Sequence, residues 1–184
     1  MKIRLLRSLV AVLLCSAAAQ AQHQGVEVFT GYSRAQILSR DSSVGFHGWN
    51  VAVSVDATKW IGLVVDVAGH YRDDQANTLL GPVDTNLRIK SVTFGPRVAL
   101  RKHEFLTPFA HALIGSSSLK SESSLLGLSV SSNDSAFVVA AGGGLDIKLN
   151  RRFALRPIQL ERVFVVGKRP DYARYSAGVV FRFN

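Results

Sequence analysis

Beyond residue 25 the chain places apolar side chains at every second position, over stretches longer than a soluble sheet ordinarily needs. Trp49, Val51, Val53 and Val55 share one face, while Asn50, Ala52 and Ser54 take the other. The same alternation sets Ile61, Leu63, Val65 and Val67 against Gly62, Asp66 and Ala68, and Val92, Phe94, Pro96, Val98 and Leu100 against Ser91, Thr93, Gly95, Arg97 and Ala99. It returns from Phe137 to Ile147 and again from Tyr175 to Phe183. A period of two belongs to β-strands, whose successive side chains point to opposite faces. One face is apolar; the other mixes small and charged residues.

Eight such segments can be marked, near residues 26–37, 47–55, 60–71, 87–100, 105–118, 136–148, 153–166 and 173–183. Most exceed the roughly 5–6 residues usual in soluble strands and approach the ~9–11 that a tilted strand needs to cross a bilayer. Residues 56–59, 101–104 and 149–152 read as tight turns. Residues 38–46, 72–86, 119–135 and 167–172 read as longer links rich in Ser, Asp, Asn, Gly or Pro, and the serine-rich link 119–135 as a solvated external loop. Short and long connections thus alternate, as in an up-and-down barrel with periplasmic turns and external loops. Bilayer hydrocarbon offers the backbone no hydrogen-bond partner, so a spanning sheet must close on itself. The expected fold is all-β: an eight-stranded antiparallel up-and-down transmembrane β-barrel, narrow enough for its own side chains to fill it.

The first residues read as an address. Lys2, Arg4 and Arg7 precede an apolar run over residues 9–14, and Ala19-Gln20-Ala21 supplies the small residues of a cleavage site. The expected organisation is a cleaved signal peptide over residues 1–21 and an outer-membrane barrel domain over residues 22–184. Part of the formal charge of +9 lies in the leader, as does Cys15, the lone cysteine. Disulfides, thiolate metal sites and cysteine nucleophiles are therefore not expected in the exported chain.

Several segments carry a resemblance. They include Val28-Phe29-Thr30-Gly31-Tyr32-Ser33, Gly48-Trp49-Asn50, Trp60-Ile61-Gly62-Leu63 with Asp66, and Phe94-Gly95-Pro96-Arg97. Thr107-Pro108-Phe109-Ala110-His111, Gly142-Gly143-Gly144-Leu145-Asp146 and Arg156-Pro157-Ile158-Gln159 follow in order. Together they resemble the OmpA-like bacterial outer-membrane β-barrel domains, over nearly the whole exported chain. The resemblance implies an aromatic-ended last strand read by the barrel-assembly machinery, here Tyr175, Val179, Phe181 and Phe183, with Asn184 departing from the usual final aromatic. No peptidoglycan-binding domain follows in this sequence, which puts cell-wall anchoring by this chain in doubt.

If the apolar faces meet lipid, Asp66, Arg97, Asp146 and Arg156 point into the lumen. Charges enclosed there must pair or cost several kcal/mol each. With Glu161 they are expected to form an ionic plug. Arg156 has opposite parity to Gln159 and Glu161, so all three face inward only if the strand bulges near Pro157, whose nitrogen cannot donate to a ladder. Tyr32, Trp49, Trp60, Tyr71 and Phe183 fall near strand ends and suit aromatic girdles at the two membrane interfaces.

No histidine pair has metal-ligand spacing, and no cofactor is expected. Gly142-Gly143-Gly144 lacks the lysine and helix of a phosphate loop. Arg101, Lys102, Arg151 and Arg152 cluster at short turns, which suits anionic head groups better than nucleic acid. The expected partners are outer-membrane lipid and lipopolysaccharide, the assembly machinery, and an unspecified partner of the external loops. The expected function is non-enzymatic, serving envelope integrity or surface interaction. Two alternatives remain open: a soluble lipocalin-like barrel holding a small apolar ligand, and a lipid-modifying outer-membrane enzyme using His111 with a nearby Ser or Asp.

Overall fold

The computed structural model describes residues 25–38, 43–78, 81–125, 128–167 and 170–183; the expected signal segment and Asn184 lie outside them. Eight strands follow in order: β1 (Val26–Leu38), β2 (Ser43–Asp56), β3 (Ile61–Thr78), β4 (Gly81–Ala99), β5 (Leu106–Leu125), β6 (Leu128–Lys148), β7 (Phe153–Val165) and β8 (Tyr172–Phe183). Each pairs antiparallel with its chain neighbour, and β1 pairs with β8 from Val26↔Phe183 to Ile37↔Tyr172. That last ladder closes the barrel and removes the free edges that hydrocarbon would leave unpaired.

Two of the expected long links are strand instead, and a third, 38–46, is strand at 38 and from 43 onward, the β1–β2 ladder reaching Leu38↔Ser43. The β3–β4 ladder continues through Arg72↔Leu87 to Thr78↔Gly81, and the β5–β6 ladder through Leu119↔Asp134 to Leu125↔Leu128. The serine-rich segment 119–135 is therefore largely hairpin. Polar runs outside the bilayer have no apolar face to display, so alternation fades although backbone pairing persists in water. The central strands consequently reach 18–21 residues against 12–14 for β1, β2, β7 and β8.

The bulge at Pro157 is present. The β7–β8 register passes from Arg156↔Gly178 to Gln159↔Ser176, one residue out of step. Pro157 and Ile158 both face outward, and Arg156, Gln159 and Glu161 are all buried.

Outside, Leu63 and Phe94 are 64% and 56% exposed, with Val92, Val98, Ile114, Leu155 and Leu160 also bare. Inside, Asp66, Asp146 and Asn50 are fully buried. This inversion defeats the soluble-barrel alternative, whose apolar side chains would fill the centre. The lumen is not uniformly polar, however. Toward the loop-side rim Ala35, Phe46, Ile89, Val163 and Tyr172 form an apolar layer, part of a buried cluster that also includes Phe29, Leu113, Val138 and Val180.

Candidate functional site

The lumen's polar side chains form a connected chain that starts at the turn-side rim. Glu27, one step inside β1, receives Arg97 Nη1 at 2.6 Å, Arg182 Nε at 3.0 Å and Arg101 Nη2 at 3.4 Å. Arg97 also donates to Ser54 Oγ at 2.8 Å and, through Nη2, to Asp146 at 3.1 Å. Asp146 in turn accepts Arg156 Nε at 2.6 Å and Nη2 at 3.0 Å, a two-point guanidinium–carboxylate contact. The bulge gives the chain its next link: Arg156 Nη1 donates to Gln159 Oε1 at 2.7 Å, and Gln159 Nε2 to Glu161 Oε1 at 2.8 Å.

Deeper in, Arg174 of β8 donates to both Glu161 and Asp66, the latter at 2.6 Å. Asn50 Nδ2 donates to the other Asp66 oxygen at 2.7 Å. His111 Nε2 lies 2.7 Å from Glu161 Oε1, a contact favourable when that nitrogen carries a proton. The four carboxylates buried among the described residues, Glu27, Asp66, Asp146 and Glu161, are thus met by buried Arg97, Arg156 and Arg174 and by Arg182 and Arg101 reaching in from the rim. Phe109 lies between two of the cations, its centroid 4.4 Å from Arg97 Cζ and 4.2 Å from Arg156 Cζ, and Phe29 lies 4.4 Å from Arg156 Cζ. In a dry interior, aromatic faces substitute in part for water around a guanidinium.

Asp66, Arg97, Asp146, Arg156 and Glu161 all lie in this cluster. Sequence reasoning missed Glu27, Arg174, Asn50 and Phe109. Arg174 shares the parity of Ser176 and Arg182, and Glu27 that of Ser33, so strand parity carried the signal; the height of each residue in the barrel was the missing coordinate.

Above the ionic cluster, Ser33 and His70 share a hydrogen bond of 2.9 Å, and Ser176 Oγ donates to Ser33 at 3.0 Å. Ser33 and His70 are both fully buried. His111, the catalytic candidate of the enzyme alternative, faces Glu161 inside the lumen with no nucleophile beside it among its described contacts.

On the outside, all five expected girdle residues are exposed. Tyr32, Trp49 and Tyr71 share the outer wall of β1–β3: Tyr32 is hydrogen-bonded to His47, and Trp49 Nε1 donates to Tyr71 OH at 3.1 Å. Trp60 and Phe183 stand at the turn-side end. From Trp60 to Tyr71 the strand climbs roughly 25 Å at the usual rise and tilt, close to the ~25 Å apolar band of such barrels.

A closed eight-stranded barrel, apolar without and charged within, defines the class of small outer-membrane barrels. The chain belongs to the outer membrane protein beta-barrel domain family, which it matches over residues 8–183. Its place is the bacterial outer membrane. The fold is similar to that of Ail, the attachment invasion locus protein of Yersinia pestis, solved with the heparin analogue sucrose octasulfate; the TM-score is 0.68 at 19% identity, over 87% of this chain and 99% of that one. Neisserial surface protein A follows with 0.66 at 14%, covering 86% and 97%. The N-terminal β-barrel domain of Pseudomonas aeruginosa OprF gives 0.53 at 13%, covering 86% and 97%. No curated protein matches the sequence.

Proposed function

We propose that this chain is a non-enzymatic outer-membrane barrel, closed to solutes, that supports the envelope and presents its loop-side rim to lipopolysaccharide and to surface partners. The observation that carries the reading is the unbroken run of side chains from Glu27 to Asp66; the cavity that Glu27, Asp66, Arg97 and Arg156 line beside Phe29 and Phe109 measures about 10 Å³, room for one water. The apolar layer of Phe46, Ile89 and Tyr172 supports closure from the other end. Purified protein in planar bilayers is expected to give no steady discrete currents; regular single-channel steps from the wild-type protein would overturn the reading.

The lipopolysaccharide part rests on a like-charge pair. Arg88 of β4 stands directly opposite Lys120 of β5, both are exposed, and Lys90 lies one outward position from Arg88. Like charges facing across a ladder are destabilising unless an anion sits between them. The next outward residues of β4 are Val92 and Phe94, which favours a position at the external lipid boundary, where phosphates are dense. Replacing Arg88 and Lys120 by alanine is expected to weaken lipopolysaccharide capture while leaving the fold intact; unchanged capture would remove this partner. On β8, Tyr175, Val179, Phe181 and Phe183 share the outward face, as a strand handed to the assembly machinery requires, and Phe183→Ala is expected to lower the folded yield in cells.

A further inference from the structure

The turn-side rim holds an open groove of about 790 Å³ between the 149–152 turn and the end of β8. Its walls include Lys148, Arg151, Arg152 and Arg182, its floor includes Phe153 and Phe181, and no carboxylate among the described residues lines it. The turn is fixed in place. Asn150 Oδ1 accepts the backbone N–H groups of Arg152 and Phe153, each at 2.8 Å, and the Arg152 carbonyl accepts the Arg182 N–H at 2.8 Å, joining the turn to the closing strand. Arg151 and Arg152 nevertheless remain exposed. Arg182 commits Nε to Glu27, while its Nη2 is withdrawn from solvent with no hydrogen-bond partner. Phe153 and Phe181 face each other across the β7–β8 ladder, edge to face, with centroids 5.3 Å apart, on the lipid side of the wall.

Cations and aromatic side chains lining one groove at a membrane rim suit an anion that is attached to hydrocarbon, because the charge meets guanidinium groups while the chains continue along the apolar wall. We propose that this groove binds the headgroup of an anionic phospholipid of the inner leaflet, its acyl chains lying against Phe153 and Phe181. The rim carries the chain's short turns and is therefore periplasmic, where phospholipid rather than lipopolysaccharide forms the leaflet.

The test is native mass spectrometry of the delipidated, folded barrel with phosphatidylglycerol and phosphatidylcholine of identical chains. Wild type is expected to retain phosphatidylglycerol selectively. Arg151→Ala with Arg152→Ala is expected to weaken that binding roughly thirtyfold and leave phosphatidylcholine unaffected. Lys59→Ala with Lys102→Ala, on the other two short turns, is expected to change nothing, and inorganic phosphate is not expected to displace the lipid. Heat-shifted gel migration verifies that each variant is folded, and Arg151→Gln with Arg152→Gln replaces the alanine pair if that pair fails to fold. The proposal falls if the double arginine variant binds like wild type, if the lysine variant loses as much, or if free phosphate competes as well as the lipid does.

Discussion

Arg174 and Asp66 are 108 positions apart in the sequence and 2.6 Å apart in the lumen. The same guanidinium also holds Glu161, so one side chain from β8 ties β3 to β7 across the barrel.

Removing that guanidinium leaves two buried carboxylates facing one another. Arg174→Met is expected to destabilise the barrel by about 3–5 kcal/mol, the range for breaking a buried pair at one partner. Adding Asp66→Asn and Glu161→Gln to the variant is expected to recover part of the loss. Urea unfolding in lipid vesicles checks both, and an Arg174→Met midpoint equal to wild type would remove the network as a source of stability.

Phe109 tests the role of the aromatic faces. Phe109→Leu keeps an apolar side chain but removes the ring from Arg97 and Arg156, so it is expected to cost about 1–2 kcal/mol more than Phe46→Leu, a buried substitution within the apolar layer. Equal losses in the same unfolding assay would show that the ring serves only as packing.

Gly142 makes room for the network. A Cβ there would stand 2.5 Å from Glu161 Cγ and press on the Leu160 carbonyl. Gly142→Ala is expected to destabilise by about 1–3 kcal/mol, as overpacking does. Ala141→Val, one residue away and facing lipid, is expected to leave stability nearly unchanged. Heat-modifiable migration across a temperature series separates them.

The two tryptophans report the membrane boundaries. Since Trp49 and Trp60 are the only tryptophans in the chain, Trp49→Phe and Trp60→Phe each leave a single emitter. Each is expected to be quenched more by bromine near the lipid head groups than by bromine at the chain ends. The reverse order for either one would remove it from the girdle.

The alternation of Trp49, Val51, Val53 and Val55 with Asn50 and Ser54 determined strand, face and closure without any coordinates, because lipid on one side and an enclosed lumen on the other impose opposite chemistries on successive residues. The same parity marked Asp66, Arg97 and Asp146 as inward, and the mismatch between Arg156 and Glu161 located the bulge. Parity is blind to two things. It cannot see strand where both faces are wet, which is why residues 72–86 and 119–135 read as links although their backbones pair as far as Thr78↔Gly81 and Leu125↔Leu128. Nor does it give height along the barrel axis. Which carboxylate meets which guanidinium depends on the register of each ladder and on the final β1–β8 pairing, and only the closed tertiary structure brings Glu27 beneath Arg97 and Arg174 beside Asp66.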